Sequence, residues 1–182
     1  ALDYFPVDEL VYMGIAGAVN PKWRPGDVIV PERWYYHDES VYSNPKPKDD
    51  GGYILPEFYI SFLEDQKERQ IDDPHMPNYK PFRFIHPDEV LIIKDGIEEP
   101  SARAYFAATP RLLKAARAAI RKLPPQSILG ERFSKLSVGG NGVTGSVFVD
   151  NRNYREWTRE VFNAEVTEME SAAVGQVCEI NE

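Results

Sequence analysis

The chain has 182 residues, 42% hydrophobic and 27% charged, which is enough apolar material for a core in about one domain of roughly 100–200 residues. A formal net charge of −8 repels phosphate backbones and anionic lipid surfaces, so neither nucleic acid nor a membrane is expected as a partner. No apolar run approaches the roughly 20 residues that span a bilayer. The single cysteine, Cys178, allows no internal disulfide and no cysteine-rich metal site, and neither a metal nor a cofactor is expected.

The opening residues, Ala1 to Pro6, lack the basic stretch and apolar core of a signal peptide. Leu10–Ile15 follows almost at once as a short apolar run closed by Gly14, Ala16, Gly17 and Ala18, the pattern of a buried parallel strand opening into a loop. Pro25-Gly26 signals a turn, Asp27–Val30 a second strand, and Trp34–Tyr36 an extended continuation after a break at Pro31. From about Asn44 to Pro100 proline, aspartate and aromatic residues are dense, and only Glu57–Arg69 has helical character. Its aromatic content argues for an ordered insertion outside the main sheet, at a pocket mouth or a subunit interface, because disordered segments are poor in aromatics.

Regular periodicity returns at Thr109-Pro110, a helix start, with Leu112, Leu113, Ala116, Ala119, Ile120 and Leu123 on one face and Pro124-Pro125 as the stop. Phe133–Gly140 and Val143–Val149 read as strands around a glycine-rich turn. Asp150 or Asn153 is the expected cap of a helix on which Tyr154, Trp157, Thr158, Val161 and Phe162 keep helical spacing. Glu165–Met169 is a short strand, and Ser171–Ile180 a buried closing helix. The alternation predicts an α/β fold with a mixed central sheet flanked by helices. A strand so near the start, and a closing helix with no strand after it, predict one domain, 1–182, incomplete at both ends, with the insertion at about 44–100.

Three strings carry candidate chemistry. In Thr167–Val174, the carboxylates of Glu168 and Glu170 flank Met169 where strand gives way to helix, a position at which open α/β sheets bind ligands. An ionised carboxylate accepts through two oxygens and suits a vicinal diol such as ribose; the competing reading is a charge favouring the helix N-terminus. Gly14–Ala18 offers small residues over which a ligand can approach the backbone, or simply a tight turn. In Thr144–Asp150, Phe148 faces either a ligand or the core. His37, His75 and His86 are expected at the surface, and Cys178 as a buried, inert thiol.

Taken in order, Gly14–Ala18, Gly26–Val30, Thr144–Val149 and Glu168–Ala172 resemble the purine and uridine phosphorylase superfamily. Tyr36-His-Asp38 adds a similarity to methylthioadenosine/S-adenosylhomocysteine nucleosidases, while the insertion and Asp150-Asn151 look like the plant bark and vegetative storage proteins. The resemblance covers about 8–42 and 101–182. It implies that Met169 and Glu170 contact the ribose, with Glu168 the acidic residue before them, and that Phe148 stacks on the base beside Val149. By the same likeness Ile15, Ala16 and Gly17 line the ribose and the phosphate or water side. Ile15 departs from the serine or threonine that binds phosphate in many relatives, which points to water as nucleophile. The resemblance further implies a nucleosidase or phosphorylase acting on a small-molecule nucleoside, a homo-oligomer, and a catalytic acid and base outside this chain. The alternative is a storage or nucleoside-binding protein of the same fold without turnover.

Overall fold

In the computed structural model, which describes residues 4–47, 51–124, 126–128 and 130–181, short strands dominate the first half of the chain. They are β1 (Gly17–Ala18), β2 (Val28–Val30), β3 (Arg33–Tyr36), β4 (Ser40–Tyr42), β5 (Asn44–Pro45) and β6 (Tyr53–Ile54). Helix α1 (Glu57–Asp72) then leads to β7 (Ile85–Pro87), β8 (Val90–Ile92), β9 (Ser101–Arg103) and β10 (Phe106–Ala107). The second half runs through α2 (Pro110–Ile120), β11 (Ser127–Ile128), β12 (Arg132–Phe133), β13 (Leu136–Val138) and β14 (Asn141–Thr144). It closes with α3 (Arg152–Phe162), β15 (Ala164–Glu168) and α4 (Ser171–Ile180).

A five-stranded sheet of order β1-β15-β14-β3-β10 forms the centre. Strand β14 is parallel to both neighbours, and the outer strands β1 and β10 are antiparallel to theirs. The sheet is therefore mixed, as expected. All four residues of β14 are buried, the signature of a parallel strand covered on both faces. Alternation along β3 separates the two covers. Tyr35 packs with Val143, Trp157, Val161 and Phe162 under α3, while Trp34 and Tyr36 pack with Phe106 and Ala172 under α4. The close approach on that second face requires Gly142, because a Cβ there would lie 2.3 Å from the Trp34 ring.

Helix α3 buries Trp157, Thr158, Val161 and Phe162 and leaves Tyr154 half-buried. Helix α4 has the expected bounds but, contrary to the buried helix expected, buries only Ser171 and Ala172 and exposes Val177. Asn151, rather than Asp150 or Asn153, caps α3 by accepting from the Tyr154 N–H at 2.9 Å. Asn163 ends that helix in the left-handed conformation, φ 50°, a geometry asparagine tolerates. Helix α2 starts at Pro110 behind Thr109, whose side chain makes no capping bond. Leu113 is buried, and Leu112, Ala116 and Ile120 are half-buried, but Ala119 and Leu123 are exposed. The helix packs on β13, which pairs in parallel with β2, so it covers that pair. Pro125 of the helix stop lies outside the described residues, as do Ala1, Leu2 and Asp3 of the opening segment, residues 48–50 of the insertion, Leu129 and Glu182.

Three expected strands are corrected, the first being Phe133–Gly140, which is broken between β12 at Phe133 and β13 at Leu136 and ends at Val138. Leu10–Ile15 is no strand: its side chains are exposed, and pairing begins only at Gly17, opposite Thr167. Among the described residues nothing hydrogen-bonds to its backbone, so its apolar pattern has no ladder to join. The strand expected over Val143–Val149 stops at Thr144, for a reason given below.

The described residues of 44–100 contribute no strand to the central sheet; β5 pairs with β6 within the stretch, and β7 and β8 pair with the flanking strands β4 and β9. Their aromatics form a packed set, with Phe62 against Tyr59 and Tyr79 at ring separations of 5.3 and 5.2 Å. The Tyr59 hydroxyl donates to the Pro87 carbonyl, and buried Glu89 accepts from Arg69 at 2.7 Å and from Tyr79. His86 is buried beside Tyr53 and Tyr59, contrary to the expected surface position.

The β2 end is anchored by Asp27, whose side chain is buried. Its carboxylate accepts from the Arg132 guanidinium at 2.7 Å and from the N–H groups of Lys135 and Arg24 at 2.8 and 2.9 Å. Burial alone would raise its pKa, but these donors outweigh it and hold the group at about 2. A pKa depressed on folding stabilises the native state above the unfolded value of about 4 and loses that contribution as pH falls toward 2. Urea midpoints measured from pH 5 to pH 2 are expected to fall through this window, and Asp27→Asn is expected to start less stable and flatten the slope.

Candidate functional site

Because β3, β14 and β15 are parallel, their C-terminal ends lie side by side, with Thr144 opposite both Tyr36 and Glu168. The chain leaves the sheet here on three tethers. The Thr144 hydroxyl donates to Glu168 at 2.5 Å, the His37 N–H donates to the Thr144 carbonyl at 2.9 Å, and the Ser146 N–H donates to Asp38 at 2.6 Å. Gly145 is the turning point. A Cβ at that position would lie 2.5 Å from the His37 ring and 3.0 Å from the Asp38 carboxyl carbon, so only glycine lets the backbone pass. The strand ends there, and Phe148 emerges on a loop with 85% of its surface exposed.

The two glutamates at the start of α4 divide the work. Glu168 receives the N–H of Glu170 at 3.0 Å, the N–H of Ser171 at 2.9 Å and the Ser171 hydroxyl at 2.9 Å, besides Thr144. Thr144 Oγ1 in turn accepts the Ala172 N–H at 2.9 Å. These bonds supply the first free donors of the helix with partners, the role a capping side chain ordinarily performs. Glu170 occupies the N-cap position itself, yet its side chain makes no capping bond. Among the described residues its exposed carboxylate accepts only the Tyr12 hydroxyl, at 3.3 Å. The helix-end role weighed for Glu170 thus falls to Glu168, and one carboxylate stands open at the helix N-terminus, where partial positive charge favours an anion.

Phe148 and Val149 line a cavity of about 560 Å³, formed by the 146–151 loop with Asp38, Tyr42, Phe82, Ile85 and Tyr154. Glu168, Met169 and Glu170 lie outside it, as do Ile15, Ala16 and Gly17. Ile15 is 97% exposed, Ala16 and Gly17 are exposed, and Gly17 pairs with Thr167 next to Glu168. Met169 is exposed beside Glu170. The residues picked out in the sequence therefore form two groups, joined through the Thr144–Glu168 bond.

His37 is fully buried behind the loop, which corrects its expected surface position. Tyr154 donates its hydroxyl to the His37 carbonyl at 3.0 Å and stands 2.9 Å from Nδ1, and among the described residues Nε2 has no hydrogen-bond partner. Burial lowers the His37 pKa, against the opposing charges of Asp38 and Glu168. His75 is exposed as expected, and Cys178 is only half-buried. Sequence reasoning missed Tyr42, Phe82, Ile85 and Tyr154 as cavity walls. The aromatic density of the 44–100 stretch was the available signal for Phe82; Tyr42 lies just before that stretch and Ile85 is not aromatic.

Among the described residues no helix is long and apolar enough to cross a membrane. No curated protein matches the chain. Solved structures do. The 5′-methylthioadenosine/S-adenosylhomocysteine nucleosidase of Colwellia psychrerythraea, in complex with adenine, is similar at 21% identity with a TM-score of 0.56, over 98% of this chain and 51% of that one. A putative nucleosidase of the same description from Francisella philomiragia is similar at 20% identity and a TM-score of 0.54, over 98% and 52%. The Campylobacter jejuni enzyme of that name gives 20% identity and 0.51, over 91% and 47%. The chain thus spans about half the length of the structures it matches, and at these identities the likeness shows the fold. A family model described as the phosphorylase superfamily matches residues 1–182. With a match along its whole length and the mixed sheet of that fold, the chain belongs to the phosphorylase superfamily.

Proposed function

We propose that this chain carries the ribose- and base-contacting part of a nucleosidase, which hydrolyses the N-glycosidic bond of a purine nucleoside or thionucleoside of the methylthioadenosine/S-adenosylhomocysteine type. The observation that carries this reading is the Glu170 carboxylate, exposed at the joined C-terminal ends of β14 and β15 and relieved of capping by Glu168. In glycosidic cleavage the C1′–N bond breaks with its electron pair going to the base, while the sugar passes through an oxocarbenium-like transition state. Glu170 accepts the two ribose hydroxyls and favours that cation, Met169 packs under the sugar, and Phe148 stacks on the base beside Val149. Water adds to C1′ and loses a proton, and the departing base gains one. Ile15 has no hydroxyl to bind phosphate, which favours water over phosphate as the nucleophile.

The test is base release from methylthioadenosine and adenosine by the complete nucleosidase of which this chain is the proposed part, followed with and without inorganic phosphate. Free base and ribose sugar are expected in both conditions at the same rate. A sugar 1-phosphate formed only with phosphate would make the protein a phosphorylase. Binding without release would make it a nucleoside-binding protein of this fold.

A further inference from the structure

A base stacked on Phe148 has one face left over, and the 44–100 stretch with its flanking strand supplies a surface for it. Tyr42 on β4 and Ile85 on β7 are cross-strand partners. Phe82 is held beside them by a tight turn, its N–H and carbonyl paired with those of Ile85 at 2.9 and 3.0 Å. Its ring packs edge-on against Tyr154 at 5.2 Å and tilts against Trp157 at 5.8 Å. The wall is thus built into the sheet pair and the α3 core before any ligand arrives, the preorganisation that keeps the cost of ordering low.

The cavity's charge is one-sided. Asp38 and Asp150 line it, and no lysine, arginine or histidine is among its lining residues. Ionised carboxylates accept hydrogen bonds and donate none, so the lining repels phosphate and favours a ligand that offers N–H groups. A volume of about 560 Å³ falls within the roughly 300–1,000 Å³ of small-molecule pockets.

We propose that Tyr42, Phe82 and Ile85 are the specificity-determining wall of this cavity, and that it takes an uncharged aromatic base bearing N–H donors while rejecting its phosphorylated nucleotide. The inference rests on the nucleosidase reading for the presence of a base at Phe148, and adds the opposite wall and the charge selection. The test is calorimetric titration of the protein with adenine, adenosine and adenosine 5′-monophosphate, on the unaltered chain and on Tyr42→Ala, Ile85→Ala and Phe148→Ala. Tyr42 is 66% exposed, so its replacement leaves the core intact, and a melting curve on each variant verifies folding. Tyr42→Ala and Ile85→Ala are each expected to weaken adenine binding about tenfold, as loss of an aromatic or apolar contact to a base does. Adenosine is expected to bind at least about tenfold more tightly than its monophosphate. Unchanged affinity in Tyr42→Ala and Ile85→Ala, with binding lost in Phe148→Ala, overturns the wall and leaves the nucleosidase reading standing. Equal affinity for adenosine and its monophosphate overturns the charge selection. Absence of any adenine or adenosine binding by the unaltered protein overturns both readings together.

Discussion

Glu170→Gln, made in the complete nucleosidase of which this chain is the proposed part, is expected to lower nucleoside cleavage by about 10- to 100-fold and to leave the melting temperature nearly unchanged. A hydrogen bond to a charged group contributes roughly 1.5–3 kcal/mol, and each ~1.4 kcal/mol is tenfold. Glutamine keeps the shape of the side chain but removes the charge that favours a cationic sugar. On the stability side there is little to lose. The Glu170 carboxylate makes no capping bond and, among the described residues, accepts only from Tyr12, so about 0.3–1 kcal/mol of helix-dipole interaction is at stake. Turnover measured beside thermal melting separates the two accounts. Intact turnover with a lowered melting temperature would return Glu170 to the role of a helix-end charge and leave the ribose site unsupported.

The neighbouring glutamate is expected to behave in the opposite way. Glu168→Ala strips partners from the N–H groups of Glu170 and Ser171 and from the hydroxyls of Ser171 and Thr144. Unsatisfied donors near a buried helix end cost about 1–3 kcal/mol each, and some of these will reach water. A loss of about 3 kcal/mol in unfolding free energy is expected from urea titration, large against the total stability of a typical domain. Glu168→Gln, which retains one accepting oxygen, is expected to recover part of it. A loss below about 0.5 kcal/mol in Glu168→Ala would contradict the capping geometry.

The elements legible in the sequence were those whose pattern and partners lie close along the chain. Thr109-Pro110 marks the start of α2, and the apolar spacing of Trp157, Val161 and Phe162 names the buried face of α3. Leu10–Ile15 carries an equally clear strand pattern, but a strand exists only where another backbone meets it, and here that begins at Gly17. The Val143–Val149 run ends at Gly145 because of a contact with His37, 108 residues earlier in the chain, which local spacing does not encode. The same long-range packing buries His37, just past the end of β3, and His86, on β7, whatever their polarity. At the site, the string Glu168-Met-Glu170 was visible, whereas which carboxylate caps the helix depended on the position of Thr144 on another strand. The cavity wall was the least legible part. It is assembled from Asp38, a turn at 82–85 and a loop at 146–151, and only the folded chain brings these together.

The burial of Trp157 has an optical consequence. Of the three tryptophans, Trp23 is bonded to Glu165 and Trp34 lies over Gly142, whereas Trp157 adjoins Phe82 and Tyr154 at 5.8 and 4.9 Å, both of them lining the cavity. Its indole N–H is committed to the Lys80 carbonyl at 2.7 Å, which holds the ring in one orientation. An indole shielded from water emits toward the blue, and its quantum yield responds to small shifts of the groups packed on it. Filling of the cavity should therefore be visible in the intrinsic emission of this one residue, with no label attached, and Trp157→Phe would silence the signal while leaving Trp23 and Trp34 as an internal reference.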